Sequence, residues 1–311
     1  MGIVKAICVS DQRGIQKKEV PAADFDPAWG IAGDAHGGHW HRQVSLLSYE
    51  KIRDFQERGA VVGPGDFAEN MVVEGFDFRS LPVGSRFVCG SVILEMTQIG
   101  KECHTHCQIY QKMGDCIMPR EGVFAVVVQG GRIQVGDEMQ LLPYEGPGSF
   151  RAAALILSDK GAAGQREDLC GPLIARMLEA AGYQVAETLV IPDERAQIEE
   201  ELIRLCDGRQ LDLVLTSGGT GFSIRDVTPE ATLAVASREV PGIAEAIRAY
   251  SMSITKRAML SRGVSAIRGR TLIVNLPGSP KAVEESLAYI LDDLGHGLDI
   301  LRGDAEDCAR D

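Results

Sequence analysis

The first half of the chain sets short apolar runs between glycine-rich turns, whereas the second half interleaves such runs with helical periodicity. Val4 to Val9 and Val44 to Leu47 are strand-like runs. Arg86 to Thr97 divides into two strands around a Cys89-Gly90-Ser91 turn. Val123 to Gln129, Gly130-Gly131 and Arg132 to Val135 have the form of a β-hairpin. Ser48 to Arg58 is the clearest helix. This strand density predicts a mostly-β, barrel-like N-terminal domain.

After residue 150 the rhythm changes. Ala153 to Leu157 is an apolar strand of the buried kind. Leu173, Met177, Leu178 and Ala181 share a helical face, and Gly182 is a stop signal. Val185 to Ile191 is a strand, and Ile198, Leu202 and Leu205 mark the next helix. Strands Leu211 to Leu215 and Thr271 to Leu276 follow. Thr228-Pro229 and Ser279-Pro280 each place a capping hydroxyl before a proline at the first helical position. Val283, Leu287, Ile290, Leu291 and Leu294 line one face of the final helix. The alternation predicts an α/β domain, an open and mostly parallel sheet with helices on both faces.

Pro143 to Ser149, rich in proline and glycine, separates the two textures. The expected domains are 1–143 and 151–311, joined by a linker at 144–150. A length of 311 residues accords with two cores. The net charge of −12 argues against a nucleic-acid partner, since such binding depends on neutralising phosphates. No apolar run is long enough to span a bilayer. Met1 to Ser10 has a strand's pattern and lacks the basic start of a signal peptide. Eight cysteines in a chain of this length are expected as reduced thiols in a cytoplasmic protein.

Ligands of open α/β sheets sit at the carboxyl ends of the strands. Four loops are expected there. They carry Ser158-Asp159-Lys160 with Asp168, Pro192-Asp193, Ser217-Gly218-Gly219-Thr220-Gly221, and Pro277-Gly278. Glycines let backbone N–H groups approach an anion, and a carboxylate such as Asp226 can hold a divalent metal on a phosphate. Plainer readings compete. By position Asp193 is a helix N-cap and Asp226 a turn residue. Lys256, Arg257, Arg262, Arg268 and Arg270 include plain surface charges.

The set of segments tips the balance. Ser158-Asp159-Lys160, Ile191 to Glu194, Thr216 to Gly221, Arg225 to Pro229, Ala258 to Arg262 and Asn275 to Gly278 make residues 150–305 resemble the molybdopterin adenylyltransferase family. The resemblance implies transfer of AMP from Mg-ATP to the phosphate of molybdopterin. It implies that Asp193 and Asp226 hold Mg²⁺, that Ser217 to Gly221 cradle phosphate, and that Ser261, Pro277 and Gly278 complete the pterin pocket.

In the first half, Gln98 to Cys107 holds Lys101, Cys103, His104, His106 and Cys107, with Cys116 further on. Nearby cations favour the reactive thiolate of Cys103. Three readings stay open: plain packing, a zinc site built from Cys103, Cys107, Cys116 and a histidine, or sulfur chemistry at Cys103. Gly33 to His36, Arg42 to Leu47, Gly65 to Asn70, Leu81 to Gly84, Gln98 to Cys103 and Val135 to Asp137 make residues 1–143 resemble the MOSC family, named for the C-terminal domain of molybdenum cofactor sulfurases. That resemblance implies a β-rich fold, binding of the molybdenum cofactor, a persulfide on Cys103 and cofactor contacts from His36 and Arg42. A pyridoxal-phosphate domain of the full sulfurases has no counterpart here, so sulfur would be accepted or passed on.

Together the halves imply a bifunctional cofactor-biosynthesis protein. The rival expectation is a non-catalytic molybdopterin-binding and hand-over protein with a zinc-stabilised N-terminal module. The resemblance also implies a homo-oligomer, with a trimer favoured, and partners among metal-insertion and sulfur-donor proteins.

Overall fold

The computed structural model describes residues 1–13, 15–100, 115–143 and 148–302. The chain divides into two compact units, Met1–Gly146 and Pro147–Asp311.

In the first unit the strands are β1 (Gly2–Val9), β2 (Lys18–Val20), β3 (Ala22–Asp26), β4 (Gly30–Ile31) and β5 (Val44–Ser48), followed by helix α1 (Tyr49–Glu57). Then come β6 (Met71–Glu74), β7 (Arg86–Cys89), β8 (Val92–Ile99), the short helix α2 (Met118–Glu121), β9 (Val123–Gln129), β10 (Gly131–Gln134) and β11 (Glu138–Leu141). The order β11-β7-β8-β9-β5-β6-β1 closes on itself because β1 also pairs with β11, Gly2 opposite Met139. Closure removes the exposed edges that a sheet of this size would otherwise present. Ile7, Leu46, Met71, Leu94 and Met96 are fully buried in its core. Phe76, Phe78 and Phe87 pack there with ring centroids 5.4–5.5 Å apart.

The hairpin expected at Gly130-Gly131 does not form. Strand β9 already has β5 and β8 on its two sides, so it offers β10 no free edge. Strand β10 pairs with β3 in a separate three-stranded sheet, and Ile133 is buried against the barrel core.

The Gly65 to Asn70 segment is a clamp. Glu69 is completely buried, and its carboxylate accepts the N–H groups of Gly65 (2.6 Å) and Phe67 (3.1 Å). Those bonds hold Ala68 at a φ of +62°, an unfavourable conformation for a residue with a Cβ. Asn70 donates to the carbonyl of Cys8 and accepts from Ser45, which ties β1 to β5. Burial pushes the Glu69 carboxyl up to about 7 from an ordinary 4.5. Across that interval the native state holds more protons than the unfolded chain. The stability contribution is full below pH ~4.5 and is lost as pH rises through ~7. Chemical denaturation between pH 5 and 7.5 is expected to show this decline in wild type, and Glu69→Gln is expected to remove it.

In the second unit the elements are β12 (Arg151–Leu157), the short helix α3 (Asp159–Ala162), α4 (Cys170–Ala180), β13 (Gln184–Ile191), α5 (Arg195–Ile203), β14 (Leu213–Ser217) and α6 (Thr228–Val235). They are followed by β15 (Arg238–Glu239), α7 (Pro241–Ile254), β16 (Ser265–Arg268), β17 (Thr271–Leu276) and α8 (Pro280–Arg302). The sheet order is β13-β12-β14-β17-β16-β15. The first four strands are parallel, and β16 and β15 are antiparallel. After Arg151, strand β12 is apolar from Ala152 to Leu157 because both its faces are covered there. Ala152, Ala154 and Ile156 join the core under α4, α7 and α8, while Ala153, Leu155 and Leu157 join the one under α5 and α6. The expected α/β architecture is the observed one.

One capping expectation fails. The Thr228 hydroxyl does not cap α6; it donates to the carbonyl of Gly218 at 2.9 Å. The first turn of α6 is thereby fastened to the glycine-rich loop.

Candidate active site at the carboxyl end of the parallel sheet

Parallel strands β12, β13, β14 and β17 send their following loops to the same end of the sheet. The β14 loop is the centre of the site. Gly218 has a φ of +108°, and a Cβ there would lie 2.4 Å from the carbonyl oxygen of Leu157. Gly219 has a φ of +62°, and its Cβ would lie 2.2 Å from the Thr228 hydroxyl and 3.1 Å from Asp193 Oδ1. A Cβ on Gly221 would lie 2.8 Å from Asp226 Oδ2. The turn therefore requires glycine on both conformational and spatial grounds. It brings Asp193 and Asp226, from different loops, against one stretch of backbone. Gly278 closes on Gly218, its Cβ position 3.2 Å from the Gly218 Cα, and Ser217 donates to the carbonyl of Pro277 at 2.8 Å.

Asp193 is not a helix cap. Glu194 takes that position on α5, without a side-chain bond. Asp193 instead exchanges hydrogen bonds with Asp159: each carboxylate accepts the other's backbone N–H, at 3.1 and 3.0 Å. Burial, and then the charges of Asp159 and Asp226, raise the Asp193 carboxyl above the usual carboxylate range. The turn role expected of Asp226 is present, since its carboxylate accepts the N–H of Ser223 at 2.8 Å.

Two arginines organise these loops. Arg225 donates to both carboxylate oxygens of Asp159, at 2.8 and 3.0 Å, and to Glu194 at 2.7 Å. That guanidinium holds the Asp159 carboxyl below its ordinary range. Arg262 donates to the carbonyls of Gly221 (2.6 Å) and Asp226 (2.5 Å) and pairs with Glu230. Grouping Arg262 with the surface charges missed this. Its place in the Ala258 to Arg262 segment, next to Ser261, was the available signal. The Arg262 N–H also donates to the carbonyl of Thr220 at 3.0 Å. Ser261, beside it, accepts the N–H of Gly263 at 3.3 Å. Arg268, grouped with Arg262, pairs with Asp207 at 2.5 Å, away from these loops.

Ser158, Asp168, Cys170, Ser217, Gly218 and Gly278 line a cleft beside the turn. Ser158 caps α3 by accepting the N–H of Gly161. Asp168 accepts the N–H groups of Cys170 (2.9 Å) and Gly171 (3.1 Å) at the start of α4. Its carboxylate is engaged by the helix end and shapes the wall of the cleft.

In the first unit, His36 and Arg42 share one loop. The His36 N–H donates to Asp34 at 3.3 Å, and the Arg42 guanidinium lies 4.7 Å from the Trp40 ring centre and 5.7 Å from that of Phe124. Cys103, with Lys101, His104, His106 and Cys107, lies outside the described residues. Cys116 is buried in the core with Ile117 and Met118. Among the described residues, no group of three or more His, Cys, Asp or Glu is placed to hold a metal ion. No helix among them is long and apolar enough to cross a membrane.

A glycine turn under acidic side chains, at the carboxyl end of a parallel sheet, marks an α/β domain of the ligand-binding kind. Comparison with known proteins sharpens that class. Residues 153–296 match the family described as probable molybdopterin binding domain, and residues 33–140 match the MOSC domain. The molybdopterin adenylyltransferase of Escherichia coli K12 is 43% identical over 157 residues, spanning 48% of this chain and 80% of that protein. The enzyme of that name from Haemophilus influenzae is 46% identical over 151 residues, spanning 48% and 77%. Among solved structures, the molybdopterin biosynthesis enzyme MoaB of Thermus thermophilus shares 47% identity, covering 50% of this chain and 97% of that one, with a TM-score of 0.48. The chain belongs to the molybdopterin adenylyltransferase family through its C-terminal half and carries a MOSC domain in its N-terminal half.

Proposed function

We propose that the C-terminal unit transfers AMP from ATP to the terminal phosphate of molybdopterin, releasing pyrophosphate. The observation that carries this reading is the meeting of Asp193 and Asp226 on the Gly219 to Gly221 backbone. The relatives named above bear the corresponding activity in their names.

The chemistry suits these groups. A phosphate monoester is ionised at neutral pH, so its oxygen attacks the α-phosphorus without a strong base. The remaining task is to position two anions in line and neutralise their charge. The backbone N–H groups of the Ser217 to Gly221 turn receive phosphate oxygens at close range. Ser261, Pro277 and Gly278 complete the pterin pocket beside the cleft lined by Ser158 and Asp168, and Thr220 anchors the turn to Arg262. Asp159 and Arg225 fix the loop that carries Asp193.

The donor set fits Mg²⁺. A carboxyl raised by burial and, after that, by its acidic neighbours is one that a divalent cation relieves, and Mg²⁺ in nucleotide sites takes only one or two protein carboxylates. Asp193 and Asp226 would hold it, and it would supply charge neutralisation on the triphosphate. ATP-dependent pyrophosphate release in the presence of molybdopterin tests the reading. Pterin binding without pyrophosphate would leave only a hand-over role.

For the MOSC half, we propose cofactor binding through His36 and Arg42 and sulfur carried as a persulfide on Cys103. A mass increase of one sulfur on the peptide containing Cys103, after incubation with a persulfide donor, is the expected result. An unmodified peptide alongside stoichiometric zinc would point to a structural metal site. By family likeness we also propose a homotrimer, which light scattering tests.

A further inference from the structure

Successive carbonyls of the C-terminal glycine turn are each held by a donor from outside it. Gly218 accepts the Thr228 hydroxyl at 2.9 Å, and Gly219 accepts the Thr228 N–H at 3.2 Å. Thr220 accepts the Arg262 N–H at 3.0 Å, and Gly221 accepts the Arg262 Nε–H at 2.6 Å. Among the described residues no peptide bond is cis. In a trans peptide the C=O and the N–H of the next residue point in opposite directions. Turning the Gly218 and Gly219 carbonyls toward Thr228 therefore turns the N–H groups of Gly219 and Thr220 away from it. Among the described residues, those N–H groups meet no protein acceptor. Gly219 is half-buried, and Thr220 is only 9% exposed. A backbone N–H left unpaired at such depth is rare in folded proteins and calls for an outside acceptor.

Glycine peptides adopt either orientation at little cost, so something must choose between them. The choice matters here. A flipped peptide would set a carbonyl oxygen beside the Asp193 and Asp226 carboxylates, which already crowd the turn. Phosphate would then meet only negative charge. Thr228 is completely buried, and its hydroxyl is spent on the turn and not on capping α6.

We propose that Thr228 is a positioning residue for the transfer reaction. Its hydroxyl and its N–H hold both glycine carbonyls inward, so that the N–H groups of Gly219 and Thr220 meet the phosphate oxygens of a substrate. The proposal rests on the reading that this turn receives phosphate. It adds the residue that makes the turn a donor.

The full chain is assayed for pyrophosphate release with molybdopterin and Mg-ATP, and binding of each is measured separately. Thr228→Val keeps the shape of the side chain and its N–H, and deletes the hydroxyl. It is expected to raise the KM and the Kd of one phosphorylated substrate by roughly tenfold with kcat little changed, and Thr228→Ser is expected to restore both. The substrate so affected is the one whose phosphate the turn holds. A merely structural threonine would instead lower the folded fraction, and with it the apparent kcat, at constant KM. Amide resonances of wild type supply a second measurement that does not depend on any variant folding. The Gly219 and Thr220 N–H protons are expected to move downfield on saturation with that substrate. Unmoved resonances, a Thr228→Ser variant as weak as Thr228→Val, or wild-type KM and Kd in Thr228→Val would each overturn the positioning role, and turnover by wild type would leave the transferase reading standing. Weakened binding in Thr228→Val, when wild type binds its substrates but releases no pyrophosphate, would keep the role and remove that reading. Wild type that binds neither substrate would overturn both.

Discussion

Asp226→Asn is expected to lower the rate of AMP transfer by roughly 10²–10³-fold, as removal of one preorganised charge-stabilising group typically does. Pterin binding should be nearly unchanged. The asparagine oxygen can still accept the Ser223 N–H, so the turn persists while the negative charge is lost. The backbone carbonyl of Asp226 also keeps its bond from Arg262. The loss should therefore appear in kcat and spare the KM for the pterin. Stopped pyrophosphate assays, paired with equilibrium binding of the pterin, separate the two quantities. Turnover at the wild-type rate would remove Asp226 from the metal-binding role.

Lys17→Met is the second large effect, and it falls on stability. Lys17 and Asp34 form an ion pair at 2.8 Å with side chains 1% and 0% exposed. Burial works against charge on both groups. The bonds from Lys17, with the Ser10 N–H at 3.0 Å, nevertheless keep the Asp34 carboxyl below its ordinary range. Removing the lysine leaves Asp34 buried without its counter-charge, which typically costs about 3–5 kcal/mol. The loss should appear in the denaturation midpoint of the N-terminal unit. Lys17→Met combined with Asp34→Asn should recover much of it, since no charge is then stranded. A single variant within about 1 kcal/mol of wild type would contradict the assignment, because such a cost belongs to exposed pairs.

The C-terminal half was more legible in the sequence than the N-terminal half, for physical reasons. A parallel strand covered on both faces is written as an unbroken apolar run, as in Ala153 to Leu157, and each helix advertises one apolar stripe. Site placement followed from topology, because parallel strands share a carboxyl end. Local chemistry misled twice. Gly130-Gly131 carries the composition of a hairpin turn, yet pairing depends on free strand edges, and β9 had none. Thr228 before Pro229 has the form of a cap, but its hydroxyl serves the carbonyl of Gly218. The organising roles of Arg225 and Arg262 are long-range: Arg225 reaches Asp159 and Arg262 reaches Gly221, pairs that no local pattern connects. Barrel closure through β1 and β11 is non-local in the same sense.

Position-specific labelling of ATP decides whether the C-terminal turn and its carboxylates direct attack onto the α-phosphorus. With molybdopterin present, label at the α-phosphate of ATP should appear in the pterin, and label at the γ-phosphate should leave as pyrophosphate. Label from the γ-phosphate in the pterin, or no label in the pterin from either position, would contradict the account.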